Sequence, residues 1–307
     1  MDIIPPSGKE KNSATESYTE RAEERSQEDK EFVPVIVKRT DESVRHPDDI
    51  LEKAIFEGRE QIQRSFISLA LSSVAAGLIL GFTAMSVAVV STLPAPFQEP
   101  VISRFATAFV YPLGFIICIM SRTQLFTEHT ATAVYPVLDG KAGVARLIRL
   151  WFTVIMGNML GAVISAGLLT AADEVIQGKE GYLVIDHHLV TYGNSSLFVS
   201  AILAGWLMAM GGWLVLATPP TISQIVSIYI VTFLIGIGGL HHSIAGAVEM
   251  FTAFFISDHF SIGQTLRFIG LAITGNLIGG SIFVALLNYG HIRKTQKVSR
   301  NRLSRLN

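Results

Sequence analysis

Charge is scarce in this sequence: 16% of the residues are Asp, Glu, Lys or Arg, 50% are apolar, and the mean hydropathy is +0.44. A soluble domain needs a more charged surface than that, so the soluble classes are set aside. Cysteine is nearly absent, with Cys118 the single one and set inside an apolar run, which excludes a disulfide framework or a cysteine-based metal site within one chain. Net charge is also lacking, at −1 with a pI near 6.7, and nothing in that balance points to nucleic acid. The N-terminal stretch has no short apolar core followed by a small-residue cleavage site, so it does not read as a signal peptide. The first apolar span is then expected to be its own insertion signal.

What is present is unevenly placed. Residues 1–46 are polar and charged, with few large apolar residues to bury, and read as a disordered tail. Over 47–65, Ile50, Leu51, Ala54, Ile55 and Ile62 alternate with Glu52, Lys53, Glu57, Arg59 and Glu60 at helical spacing. That pattern predicts an amphipathic helix lying on the bilayer surface or capping a bundle. Residues 66–290 are almost continuously apolar, and 291–307 form a basic tail. A spanning backbone finds no water to satisfy its N–H and C=O groups, so each crossing must be helical.

Six segments are long enough to cross: about 66–90, 105–136, 147–169, 197–217, 222–256 and 268–288. The second and fifth are too long for one straight crossing and carry polar interruptions, at 121–124 and 238–243, which predicts two broken helices, with 121–129 and 238–246 the candidate pore segments. Lys53, Arg59 and Arg64, then Lys141, Arg146 and Arg149, then Arg293 and the basic residues after it fall on one side of a six-span chain. The other side carries Arg104, Lys179 and Arg267 and an acidic loop with Asp173, Glu174, Glu180 and Asp186. Both termini are therefore expected to be cytoplasmic.

Two features repeat. Gly157-Asn158-x-x-Gly161 recurs as Gly275-Asn276-x-x-Gly279 after 118 residues (275 minus 157), and the breaks at Thr127 and His242 lie 115 apart (242 minus 127). Each unit holds three spans, and an odd number of crossings inverts the second unit against the first. The fold class expected is thus an all-α membrane protein of two inverted three-helix repeats.

A helix broken at mid-membrane exposes N–H groups at the start of its second half, where a partial positive charge favours an anion. His242 is the leading candidate on such a route, since an ionisable group in the bilayer core marks a functional site by default. Its neighbour His241 points about 100° away on a helix, so one of the two faces the route unless the break splays both. Leu125 and Phe126 read as a hydrophobic gate or as core packing, and Thr127 as a hydroxyl able to bond His242 or the ion. Arg122, Glu128 and His129 read first as an internal ion pair, otherwise as vestibule or interface charges. Gly157, Gly161, Gly275 and Gly279 read as close-packing surfaces, with Asn158 and Asn276 tying broken backbone to the bundle. Glu249 and Asp258 read as helix-face or rim charges, and His187-His188 lacks the further ligands a metal site needs. No metal or cofactor is expected.

In this order the motifs resemble the formate/nitrite transporter family over about residues 47–292. Tyr111-Pro112-Leu113-Gly114 with Leu125-Phe126-Thr127 resembles its broken second span. Leu240-His241-His242-Ser243-Ile244-Ala245 resembles its Phe-Glu-His-Ser-Val-Ala signature and places the family's central histidine on His242. The resemblance implies an aquaporin-like homopentamer in the plasma membrane, the inner membrane in a Gram-negative cell. It further implies that each subunit conducts a small monovalent anion such as formate or nitrite, with proton linkage through His242 an open expectation. The sequence departs from the family where His241 replaces a glutamate, where Gly246 and Gly205 replace asparagines, and where Arg122-Thr123-Gln124 precedes Leu125. Three other readings compete: a non-conducting scaffold or regulator, a neutral-solute channel, and an intramembrane hydrolase using Ser243. Paired Asn-Pro-Ala motifs are absent, against the second; a Gly-x-Ser-x-Gly elbow is absent, against the third, and no enzyme is expected.

Overall fold

The structure, a computed structural model, describes residues 45–303. The polar tail expected over 1–46 lies outside that range except for Arg45 and His46. Six helical segments are long and apolar enough to cross a membrane: Phe66–Ser91, Pro100–Met120, Val144–Ala171, Asn194–Ala217, Thr221–Gly238 and Ile262–Thr295. The sixth runs past its expected end, through a π-helical stretch at Gly279–Leu286, into a helix that continues to Leu303 and takes in most of the basic tail.

Helix α1 (Pro47–Gln63) starts at His46, whose ring accepts from the Asp48 N–H, with Pro47 in the first turn. Its apolar face, including Leu51, Ala54 and Ile55, is buried against the half-helix α6 (Phe126–Leu138) and the end of the fourth span. It caps the bundle. Beside it, Asp139 bonds Lys141 at 2.8 Å and Arg293 at 2.7 Å, and Arg293 reaches Glu52 at 2.9 Å. Burial alone would raise the Asp139 carboxyl, but the bonds from Lys141 and Arg293 outweigh it and hold it below the usual carboxylate range. This network ties the second and third basic flanks to α1 at one end of the bundle.

Both predicted breaks occur, at 121–125 and 239–242, within a residue of the expected interruptions. Helix α5 (Pro112–Met120) stops and α6 begins at Phe126; helix α11 (Thr221–Gly238) stops and α12 (Ser243–Ile256) begins at Ser243. Thr127, Glu128 and His129 are therefore helical, as are Ser243–Gly246. Each helix ends the same way. The Arg122 N–H donates to the Ile119 carbonyl and the Thr123 N–H to Cys118; the Gly239 N–H donates to Gly236 and the Leu240 N–H to Ile235. Both are Schellman turns around a residue in left-handed conformation, Arg122 at φ 57° and Gly239 at φ 59°.

Arg122 thus has a backbone task. Its side chain is exposed and, among the described residues, makes no ion pair, so the internal pairing expected of it is not formed. The contact present is between neighbours: His129 Nδ1 lies 3.8 Å from Glu128 Oε2, while the same nitrogen donates to the Leu125 carbonyl at 3.1 Å. The physical reason is that the turn aims residue 122 away from the bundle while Glu128 is buried on α6.

Left-handed backbone costs a side-chain-bearing residue about 1–2 kcal/mol that glycine avoids, partly offset by glycine's greater freedom when unfolded. Arg122→Gly is expected to stabilise the protein by up to about 1 kcal/mol. Gly239→Ala is expected to destabilise it by at least about as much, because an added Cβ would also lie 3.1 Å from the His188 ring. Thermal unfolding midpoints in detergent, rising for the first variant and falling for the second, check both.

Candidate functional site

The non-helical residues at each break leave polar backbone with no helical partner, and one constellation supplies partners twice. In the first half, Asn158 Oδ1 accepts the Phe126 N–H at 2.9 Å, and Asn158 Nδ2 donates to the carbonyls of Ser73 at 2.7 Å and Gln124 at 2.9 Å. In the second, Asn276 Oδ1 accepts the Ser243 N–H at 2.8 Å, and Asn276 Nδ2 donates to the carbonyls of Ala201 at 2.7 Å and His241 at 3.1 Å. A serine completes each set: Ser72 Oγ accepts the Gln124 N–H at 3.1 Å, and Ser200 Oγ the His241 N–H at 3.2 Å. The break residues correspond at 117 (243 minus 126; 241 minus 124), close to the 118 of the asparagines (276 minus 158). The structural counterpart of Phe126 is thus Ser243, and the 115-residue pairing of Thr127 with His242 was two residues out of register. Ser72 and Ser200 correspond at 128 (200 minus 72), because both the connection and the helices between serine and break are longer in the first half, 52 residues against 41 (124 minus 72; 241 minus 200).

Close helix approach makes these bonds reachable. The third span packs on the first, and the sixth on the fourth. A Cβ built on Gly161 would strike the backbone of Val74, and one built on Gly279 that of Ile202. Gly205 lies directly on the Asn276 backbone, so no asparagine fits where the family pattern has one. Gly246 is likewise closed off by the Phe268 ring.

The two half-helices then meet by their starting ends. His242 is the N-cap of α12, and its Nδ1 accepts the Ala245 N–H at 3.1 Å. With Nδ1 occupied as an acceptor, the proton sits on Nε2, which donates to Thr127 Oγ1 at 2.7 Å in the first turn of α6. A second proton on Nδ1 would have to displace the Ala245 amide. Phe115 stands edge-on to the ring at 4.9 Å, and His242 is 1% exposed.

Above His242 opens a cavity of about 640 Å³, reaching from exposed Tyr192 and Ser196 down to His241, His242 and Glu249. The break splays both histidines into its wall, the exception that adjacent helical residues required. His241 Nδ1 is 2.8 Å from Ser200 Oγ, and its Nε2 is buried with no partner among the described residues. Its ring stacks on that of His188 at 5.6 Å and an interplanar angle of 1°. His188 Nε2 donates to the Gly239 carbonyl at 3.2 Å, and the Tyr192 hydroxyl donates to His188 Nδ1 at 3.2 Å. Leu125, Phe126, Thr127 and Ser243 are buried and lie outside this lining, Thr127 behind the His242 ring it bonds.

Several of these residues escaped the sequence reading. The segment read as an acidic loop contains a helix, α9 (Lys179–Thr191), which packs on α12 and carries His188 into the cavity wall. Glu249, read with Asp258 as a helix-face or rim charge, is 4% exposed and lines the cavity, because α12 is enclosed by its neighbours; Asp258 is exposed. A lone carboxylate in an apolar run was the available signal for Glu249. Ser72 and Ser200 offered none.

Because each asparagine satisfies three buried backbone groups, its loss leaves them unpaired at about 1 kcal/mol or more apiece. Asn158→Ala and Asn276→Ala are each expected to lower stability by about 3 kcal/mol. Equal losses in unfolding experiments on the two variants would show that the sets are equivalent; a neutral variant would show that its break is held otherwise.

The formate/nitrite transporter family model matches residues 48–290. The inner membrane protein YfdC of Escherichia coli (strain K12) is 32% identical over 246 residues, covering 77% of this chain and 76% of its own. Among solved structures, an FNT family ion channel aligns with a TM-score of 0.69 at 19% identity, over 80% of this chain and 99% of its own. A pentameric formate channel with formate bound aligns at 0.55 and 18% identity, over 79% and 98%. Six spans, a fold shared with these channels and a family match across nearly all the described residues lead to one assignment: this chain is a multi-pass membrane protein that belongs to the formate/nitrite transporter family.

Proposed function

We propose that the protein carries a small monovalent anion, formate first among them, across the membrane past His242 and Thr127. The observation that carries this reading is the meeting of two helix N-termini at the 2.7 Å Thr127–His242 bond, on the floor of a cavity of about 640 Å³. Each end contributes partial positive charge from amides without helical partners, and both point at one place. An anion leaving water there exchanges hydration for these dipoles and for the Thr127 hydroxyl, whose oxygen accepts the His242 Nε2–H and whose proton is left to donate. The two halves act as inverted repeats, a relation supported by the matching hydrogen-bond sets and the three spans in each.

His242 works in this account as a neutral donor. Its Nδ1 is committed to the cap of α12, so charge compensation comes from the helix ends and the hydroxyl, without a second proton on the ring. Likeness to a pentameric formate channel supports formate as cargo and a homopentamer with one route per subunit. The Lys and Arg flanks gathered beside α1 support a cytoplasmic location for both termini, and likeness to an inner membrane protein supports the plasma membrane. Arg122, Glu128 and His129 would line the mouth beyond the constriction, with Leu125 and Phe126 as its closed gate.

Proteoliposomes loaded for formate uptake test the reading. Thr127→Val removes one buried bond and is expected to slow uptake about tenfold, and His242→Ala, which also loses the cap, more than that. Unchanged uptake in His242→Ala would refute the role given to the imidazole. The burial of Leu125 and Phe126 favours a second reading, a non-conducting scaffold, and a wild-type protein silent to formate and nitrite would support it.

A further inference from the structure

Two carboxyls beside the cavity have no part in the arrangement above. Glu249, two turns into α12, lines the cavity and is 4% exposed. Asp186, in the middle of α9, is fully buried, and neither of its carboxylate oxygens has a partner among the described residues. Tyr182, one turn earlier on the same buried face of α9, also has an unpartnered hydroxyl. Helix α9 packs on α12, and burial followed by the charge of Glu249 pushes the Asp186 carboxyl above its ordinary range.

Among the described residues no cation is paired with either carboxyl. The titratable and charged groups around this place are Tyr111, Tyr182, Asp173, His188, His241, His242 and Arg104, with Arg267 of the sixth span at the end of α9. The two fixed cations among them are committed to carbonyls: Arg104 to Ile237 at 2.6 Å on the exposed rim, and Arg267 to Val190 and Tyr192. Two ionised carboxylates enclosed together without a counter-charge would repel each other, lose hydration and oppose an entering anion. Holding protons removes all three costs and turns the groups into donors. A carboxyl that keeps its proton at neutral pH in this way is a known response to an apolar enclosure.

We propose that Glu249 and Asp186 form a proton-binding carboxyl site in the cavity wall, which admits anions while it holds its protons and excludes them once it is ionised. The closing role rests on the anion-transport reading; the proton site does not. With His242 committed as a neutral cap, pH sensitivity resides in this pair. The proton exchanges with water entering through the cavity mouth.

Infrared difference spectra of the full-length protein in bilayers read the proton site, and formate flux in proteoliposomes reads its consequence. Wild type is expected to show a deuterium-sensitive protonated-carboxyl band at neutral pH that fades on alkaline titration and is weakened in the Asp186→Asn/Glu249→Gln double variant, which retains the buried carboxyl of Glu128. Should that variant fold poorly, Glu249→Gln alone is expected to reduce the band. As the band fades, wild-type flux is expected to fall about tenfold or more, the effect of one like charge in a half-enclosed cavity, while the double variant keeps its flux. Glu249→Gln alone, which leaves Asp186 without a like charge beside it, is expected to move the fall in flux to lower pH. Protonation of formate itself is common to all these proteins and cancels. Absence of the band from wild type overturns the proposal, as does a band unchanged in the double variant, or a flux profile in either variant that follows wild type. A band that behaves as stated in a protein carrying no formate at any pH overturns the transport reading and leaves the proton site standing.

Discussion

Backbone polar groups at membrane depth must be paired within the protein, and everything distinctive in this structure follows from that constraint at two places. Breaking a helix in the bilayer frees N–H and C=O groups that lipid cannot satisfy. Here a serine and an asparagine satisfy them, in the same geometry, at residues 121–125 and again at 239–242. The asparagine is reachable because glycines let the third span press on the first and the sixth on the fourth. Removing the close approach would move each asparagine off its targets, so the packing of small residues and the polar ties form one device.

Once the breaks are held, the site follows. Both half-helices begin where they meet, and a single residue, His242, caps one and reaches the other. In the proposed reading the same imidazole therefore serves the fold and the route, which restricts its protonation. The polar groups the family pattern would place on Gly205 and Gly246 have no room, since Asn276 and Phe268 occupy those positions. Polar groups that do line the cavity, Ser200, His188 and Glu249 among them, stand on neighbouring elements.

Much of this was legible in the residues. Hydropathy located four of the crossings to within several residues, and the second and fifth together with the half-helix that follows each, because a run of about twenty apolar side chains has few other uses. The repeated Gly-Asn-x-x-Gly pointed to the ties, and polar residues inside overlong spans pointed to the breaks. Other features are written in geometry that a pattern does not carry. Arg122 looks like a charge in search of a partner, yet its position answers to φ at the end of α5. Ser72 and Ser200 look like any hydroxyl in an apolar helix. Helix α9 is too short and too polar to register as part of the core, although Tyr182, Asp186 and Leu189 share one buried face. Glu249 carried a signal, its charge within an apolar run, but the enclosure of α12 by its neighbours decides what that charge faces.

The central claim is that an anion is drawn to the point where the two half-helices meet. Solid-state NMR on bilayer-embedded protein with ¹⁵N-labelled histidine and ¹³C-formate measures this directly. A dipolar coupling between the formate carbon and the His242 ring, with that ring neutral and protonated on Nε2, is the predicted result. Formate that crosses the membrane with no coupling to His242, or an imidazolium at that position, would contradict the account.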